Sequence, residues 1–123
     1  MPGLLDQRRA SEKKASLKKT KTTFKLSEIK RLILLEEPGA EIILYGSHAR
    51  GDHQPDSDMD ILILLDKEKI TSDDEKKISH QHYDLELNIS QVISPLVRAK
   101  KMWYEKYPNT SLFINIKKEG IRI

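Results

Sequence analysis

The chain has 123 residues, which is enough for one small domain with a hydrophobic core but not for two. It contains no cysteine, so a disulfide framework and a thiolate zinc site are both excluded. No apolar run is long enough to span a bilayer, and no apolar block follows the first basic residues. We therefore expect a cytoplasmic protein without a membrane partner.

The net charge of +3 is distributed unevenly along the chain. The first 25 residues contain eight Lys or Arg and two acidic residues, so the remainder holds 14 basic and 17 acidic side chains. We interpret residues 1–24 as a basic, flexible tail and residues 25–123 as the folded domain. An RNA- or DNA-binding arm is the alternative for the tail, whereas nucleic acid is a poor partner for the acidic domain.

The first half of the domain predicts one helix and two strands. LSEIKRLILLEE has apolar residues at helical spacing, which predicts a helix that is capped by Ser27 and stopped by Pro38 and Gly39. AEIILYG predicts a first strand that ends at Gly46, and residues 58–65 predict a second. Because MDILILLD is apolar on both faces beyond its aspartates, the second strand should be central and covered on both sides.

The second half continues the alternation of helices and strands. Residues 72–88 predict a helix with a Thr-Ser-Asp capping cluster at its start and Glu75 just inside. QVISPLV predicts a third strand, in which Pro95 favours an edge position or a bulge. KKMWYEKY and SLFINIKKEG predict two short helices, the second stopped by Gly120. The pattern predicts an α/β (α+β) fold with a small mixed sheet of about three to four strands packed with helices.

Asp58 and Asp60 stand two residues apart at the start of the second predicted strand, so their side chains should project from one face. Two carboxylates this close repel each other unless a cation lies between them. A hard divalent ion such as Mg²⁺, or Mn²⁺ in its place, prefers carboxylate oxygens as ligands. Since core residues continue the strand, the spacing predicts a metal site at the edge of the sheet.

GSHARG, residues 46–51, predicts a tight turn from the first strand into a short helix. Such a turn exposes backbone N–H groups that can hold phosphate oxygens. Gly46 would let a phosphate approach the backbone, and Ser47 would add a hydroxyl donor. Arg50 would balance the charge of a triphosphate, and Gly51 would permit the next turn. A phosphate cradle beside metal-binding carboxylates is the minimum apparatus of phosphoryl or nucleotidyl transfer.

GSHARG followed by SDMD resembles the signature of minimal nucleotidyltransferases in the DNA polymerase beta superfamily. That signature reads Gly-Ser, two residues, Arg-Gly, a short spacer, Ser-Asp-x-Asp and an apolar strand. This sequence matches the signature throughout, and the wider likeness covers roughly residues 25–123.

The resemblance implies a nucleotidyltransferase fold, a nucleoside triphosphate that is usually ATP, and Mg²⁺ held by Asp58 and Asp60. It also implies that Gly46 and Ser47 hold the β- and γ-phosphates while NMP passes to an acceptor. The nucleotide-binding positions that it assigns are Gly46, Ser47, Arg50, Gly51 and Ser57.

The superfamily usually places a third carboxylate on the next strand, where it completes a two-metal site and helps to activate the acceptor. QVISPLV offers Ser94 there and no acid, and Asp84 and Glu86 fall on the preceding predicted helix. If residues 83–89 were a strand instead, since YDLELNI alternates, Asp84 or Glu86 would be the candidate third carboxylate.

Two functional hypotheses follow from the resemblance. The first is a metal-dependent nucleotidyltransferase that moves NMP from a nucleoside triphosphate, ATP in the simplest case, to an unidentified acceptor such as a partner protein. The second is a catalytically weak or inactive nucleotide-binding module, or an antitoxin-like partner of a helical HEPN-type protein. The resemblance suggests a HEPN-type partner because so small a domain can enclose only part of its substrate.

Five ring residues that the signature does not specify have two interpretations each. We interpret His48 and His53 as polar loop residues, with nucleotide contact or a role as proton carriers as the alternative. We interpret Trp103, Tyr104 and Tyr107 as core packing, with a partner or base-stacking surface as the alternative.

Overall fold

A computed structural model describes residues 21–123. This part of the chain forms five helices and four strands. In chain order they are α1 (Lys21–Glu36), β1 (Glu41–Tyr45), α2 (Ser47–Arg50), β2 (Met59–Leu65), α3 (Ser72–Ile89), β3 (Ile93–Ala99), α4 (Lys100–Lys106), α5 (Ser111–Glu119) and β4 (Ile121–Arg122). Within these residues, every helix is too short or too polar to span a bilayer.

The strands form one mixed sheet in the order β3-β2-β1-β4. β1 is antiparallel to both of its neighbours, and β2 runs parallel to β3. The predicted fold class is therefore confirmed. β2 is central, as its doubly apolar pattern predicted, because alternate side chains enter the cores on the two sides of the sheet.

One core lies between the sheet and helices α1 and α3. It takes the odd-numbered residues of β2, such as Ile61 and Ile63, together with Ile29 of α1 and Leu85 of α3. The regular burial of one helical face explains why these helices form where the apolar spacing predicted them.

A second core lies on the other side of the sheet, against α4 and α5. Leu62 and Leu64 of β2 contact a cluster built around Trp103, whose side chain is 0% exposed, together with Phe113 and Ile116. The interpretation of Trp103 as core packing is confirmed. Its neighbour Tyr107 stacks at a tilt on the same ring, with 5.3 Å between the ring centroids.

The first helix begins earlier than the sequence predicted. α1 starts at Lys21, so the prediction of Ser27 as its cap was wrong. Residues 21–26 contain neither Gly nor Pro, so nothing in them stops the helical turns that lead into the buried face. The predicted basic tail, residues 1–24, lies outside the described residues except for its last four, which belong to α1.

α3 confirms the predicted helix and its capping cluster, with one shift of residue. Thr71 is the N-cap, but the reciprocal bond comes from Asp74 and not from Glu75. The Asp74 amide donates to Thr71 Oγ1 at 3.2 Å, and the Thr71 amide donates to Asp74 Oδ2 at 2.9 Å. Lys67 Nζ donates to the second Asp74 oxygen at 2.5 Å, and this bond ties the loop before α3 to the helix.

The edge strands complete the sheet that positions the site. β3 is an edge strand, as Pro95 predicted, because an edge position tolerates a residue that has no N–H to donate. β4 was not predicted at all. It has only two residues, Ile121 and Arg122, and pairs with Leu44 and Ile43 of β1 directly after α5 ends.

Candidate active site

The two motifs of the signature meet where β1 ends. Tyr45, the last residue of β1, pairs with Asp60 of β2. The chain then turns at Gly46, with φ 76° and ψ −158°, a conformation that is essentially restricted to glycine. A Cβ added to Gly46 would lie 2.3 Å from Asp60 Oδ2. The Asp60 carboxylate therefore rests directly against the Gly-Ser turn that leads into α2 at Ser47.

Asp58 and Asp60 form one region of negative charge, although only Asp60 belongs to the strand. β2 begins at Met59, so Asp58 lies one residue before it and is exposed, whereas Asp60 is half-buried. Burial raises the pKa of Asp60 above its usual value, and the neighbouring Asp58 carboxylate raises it further. Arg50 acts in the opposite direction. An ion pair or a bound cation would relieve this accumulation of charge.

The loop before β2 is fixed at the carbonyl of Ser57. This oxygen lies 3.0 Å from His48 Nε2, and it accepts a hydrogen bond from Gln91 Nε2 at 2.9 Å. The Ser57 hydroxyl accepts from the amide of Gln54 at 2.9 Å, so it closes the loop on itself. Because Ser57 immediately precedes Asp58, these bonds position the first of the two acids.

His48 is not a polar loop residue, so this interpretation was wrong. It lies in α2 with only 5% of its surface exposed, since the turn directs it under the loop before β2. Burial lowers the pKa of His48, although the Ser57 carbonyl opposes this effect. Because a carbonyl oxygen can only accept, Nε2–H is the donor in the bond to Ser57. His53 does remain an exposed loop residue, and it stacks on His48 with 4.0 Å between the ring centroids.

Arg50 and Gly51 end the short helix that follows the turn. Gly51 has φ 84° and ψ 9°, and a Cβ there would meet nothing within 4 Å, so its role is conformational. The Arg50 side chain donates from Nη1 to Glu119 Oε2 at 2.8 Å and from Nε to Asp52 Oδ2 at 3.2 Å. Both bonds raise the pKa of Arg50, and the bond with Glu119 has the larger effect.

Glu119 is the site residue that sequence reasoning missed. It is the last residue of α5, and its Oε1 accepts from the backbone N–H of Gly46 at 3.3 Å. The register of β4 with β1, extended by two residues, places Glu119 opposite Gly46. Nothing in the sequence marks this approach, because 73 residues separate the two positions and β4 is too short to produce a pattern.

Comparison with known proteins decides the family. The family described as Nucleotidyltransferase domain matches residues 26–123. The chain belongs to this family. It is also 34% identical over 92 residues to a candidate protein adenylyltransferase from Methanocaldococcus jannaschii, across 73% of this chain and 84% of that protein. The suspected resemblance to a minimal nucleotidyltransferase is therefore confirmed.

Neither Asp84 nor Glu86 supplies the third carboxylate that the superfamily usually places on the next strand. Ser94 of β3 pairs with Asp60, as the sequence predicted for this position. Residues 83–89 belong to α3, so the alternative strand was wrong, and the structure does not bring Asp84 or Glu86 to Asp60. α3 packs on the opposite face of the sheet, where Asp84 is exposed and Glu86 Oε1 accepts from the amide of Ile93 at 2.8 Å.

The carboxylates of this nucleotidyltransferase fit a magnesium ion that takes most of its ligands from substrate and water better than an ion held by protein ligands alone. Among residues 21–123, no three His, Cys, Asp or Glu side chains are grouped so as to hold one metal ion. Mg²⁺ commonly binds through one or two carboxylates and takes its other ligands from waters and substrate phosphates. Asp58 and Asp60 provide two such carboxylates beside the proposed phosphate cradle.

Proposed function

We propose that this nucleotidyltransferase transfers NMP, in the simplest case AMP from ATP, to an acceptor on a partner protein. The observation that carries the proposal is the close approach of the Gly46 turn to Asp60, which would place bound phosphates beside a bound metal ion. A protein acceptor is supported by the relative that is described as a candidate protein adenylyltransferase.

Each element of the site has a role in this reaction. The turn at Gly46 and Ser47 would bind the β- and γ-phosphates, and the half-exposed Arg50 would balance their charge. Asp58 and Asp60 would hold Mg²⁺, or Mn²⁺, which supplies charge neutralisation at the phosphates. Gly51 would permit the turn, and Ser57 would position Asp58 through its bonded carbonyl.

The reaction exchanges one phosphorus–oxygen bond for another. The acceptor oxygen attacks the α-phosphorus, the bond from that phosphorus to the oxygen bridging to the β-phosphate breaks, and pyrophosphate leaves. The proton of the acceptor passes to solvent. The site contributes mainly by positioning the triphosphate and by neutralising charge, because the enzyme forms no covalent bond to the nucleotide.

Labelled ATP tests the proposal. The protein is incubated with ATP labelled at the α-phosphate, Mg²⁺ and candidate acceptors, and labelled products are separated and counted. The double variant Asp58→Asn/Asp60→Asn should lose transfer. The matched variant Asp66→Asn/Asp73→Asn, which removes two exposed acids outside the site, should retain it. Equal transfer by the wild type and the Asp58→Asn/Asp60→Asn variant would rule the proposal out.

A second candidate is a catalytically weak nucleotide-binding module that acts as an antitoxin-like partner of a HEPN-type protein. The observation in its favour is that Ser94, and not an acid, pairs with Asp60. If the missing acid limits catalysis, Ser94→Asp should increase transfer while Ser94→Asn should not. Co-purification followed by mass spectrometry separates the candidates, since a HEPN-type partner that carries an added NMP contradicts a purely binding role.

A further inference from the structure

Glu119 binds the same groups that the proposed function assigns to the triphosphate. Its Oε1 accepts from the Gly46 amide at 3.3 Å, and its Oε2 accepts from Arg50 Nη1 at 2.8 Å. An N–H group and a guanidinium that converge on two carboxylate oxygens are also the donors that a phosphate group requires. In the free protein, one carboxylate of the chain itself therefore lies in the proposed phosphate cradle.

The fold positions Glu119 there against an unfavourable local field. A carboxylate at the C-terminal end of a helix is destabilised by the partial negative charge of the last carbonyls. Hydrogen bonds from the Gly46 amide and from Arg50 Nη1 retain it in the cradle. The pairing of β4 with β1, just after the end of α5, also fixes its position. The side chain is 18% exposed, so it fills a partly closed space and not open solvent.

Glu119 is not the absent third metal ligand. It raises the pKa of Asp60, so its charge acts at that carboxylate, yet no three acidic or histidine side chains within residues 21–123 form one metal-binding group. Both of its oxygens are directed to phosphate-type donors, Gly46 and Arg50. Its charge and position therefore oppose the arrival of a polyphosphate.

We propose that Glu119 is an internal competitor of the triphosphate, which occupies the cradle in the free protein and leaves it when nucleotide binds. The proposal rests on the proposed function and adds a means of regulation to the same site. The movement needs only rotation about the side-chain bonds of Glu119, since the pairing of β4 with β1 can remain intact.

The competition has a calculable size. When the binding-competent state is only a fraction of the population, the apparent Kd equals the intrinsic Kd divided by that fraction. If the Glu119 carboxylate occupies the cradle about nine-tenths of the time, its removal should lower the apparent Kd about tenfold, equivalent to about 1.4 kcal/mol.

Calorimetric titration with a non-hydrolysable ATP analogue and Mg²⁺ tests the proposal. Glu119→Gln and Glu119→Ala should bind the analogue about tenfold more tightly than the wild type. Glu105→Gln, which makes the same change of charge at an exposed position on α4, should not. Inorganic tripolyphosphate should show the same gain in affinity as the analogue, while adenosine, which lacks phosphates, should show none.

The outcomes separate this inference from the proposed function. If the wild type binds the analogue and both Glu119 variants bind it with unchanged or weaker affinity, the inference fails but the proposed function stands. This conclusion requires melting temperatures that show both variants to be folded. A gain of the same size in Glu105→Gln overturns it too, because the effect would then be one of net charge. The absence of nucleotide binding in every protein overturns the proposed function and this inference together.

Discussion

Replacement of Gly46 by Ala should destabilise the protein more than the same change at any other turn of the site. The backbone at Gly46, with φ 76° and ψ −158°, lies in a region that is essentially limited to glycine, and such a conformation costs about 1–3 kcal/mol for another residue. The new Cβ would also lie 2.3 Å from Asp60 Oδ2, so the carboxylate must move.

Gly51→Ala is the matched control for this change. Gly51 also has a positive φ, of 84°, but its ψ of 9° is close to the left-handed helical region, where Ala loses only about 1–2 kcal/mol. A Cβ there meets nothing within 4 Å. The free energy of unfolding, measured in urea, should therefore fall by about 3 kcal/mol or more for Gly46→Ala and by less for Gly51→Ala.

A double-mutant cycle isolates the collision with the carboxylate. In an Asp60→Ala background, the clash at Asp60 Oδ2 is removed, so Gly46→Ala should destabilise the protein less than it does in the wild type. Equal losses in both backgrounds, or a loss at Gly46 no larger than that at Gly51, would refute the close approach of the turn and the acid.

Three further predictions concern the parts of the fold that support the site. Lys67 lowers the pKa of Asp74 from 3.8 to about 2, so the stability that Asp74 contributes is present above about pH 4 and is lost as the pH falls towards 2. Urea denaturation at several pH values should show that Asp74→Asn removes this contribution to the pH dependence. An unchanged profile in Asp74→Asn would contradict the prediction. Trp103→Ala should lower the free energy of unfolding by about 3–5 kcal/mol, whereas Met102→Ala, at a partly exposed neighbour, should have a much smaller effect. Gln91→Leu should weaken binding of the ATP analogue severalfold, because it releases the loop that carries the first acid, and unchanged affinity would show that this loop is held by other contacts.

The sequence predicts most of the scaffold because burial leaves a pattern in it. The apolar run of β2 identifies a strand that is covered on both faces, and the helical spacing of Ile78, Leu85 and Ile89 identifies the buried face of α3. The contact between the two motifs could also be expected, since Gly46 directly follows β1 and Asp60 lies near the start of β2, the strand that pairs with β1.

The remaining features depend on contacts that leave no local pattern. β4 has two residues, which is too short for an alternation to show, and its pairing alone brings Glu119 to Gly46 across 73 residues. The burial of His48 depends on the course of the loop that folds over it. Tertiary packing, and not local propensity, therefore determines both of these features.

A crystal soaked with a non-hydrolysable ATP analogue and Mn²⁺ would show where the nucleotide and the ion bind. We expect anomalous density for the ion between Asp58 and Asp60, phosphates on the turn at Gly46, and the Glu119 carboxylate withdrawn from that turn. Nucleotide bound elsewhere, for example in the shallow hollow of about 670 Å³ on the outer surface of α3, with no ion beside the two aspartates, would contradict it.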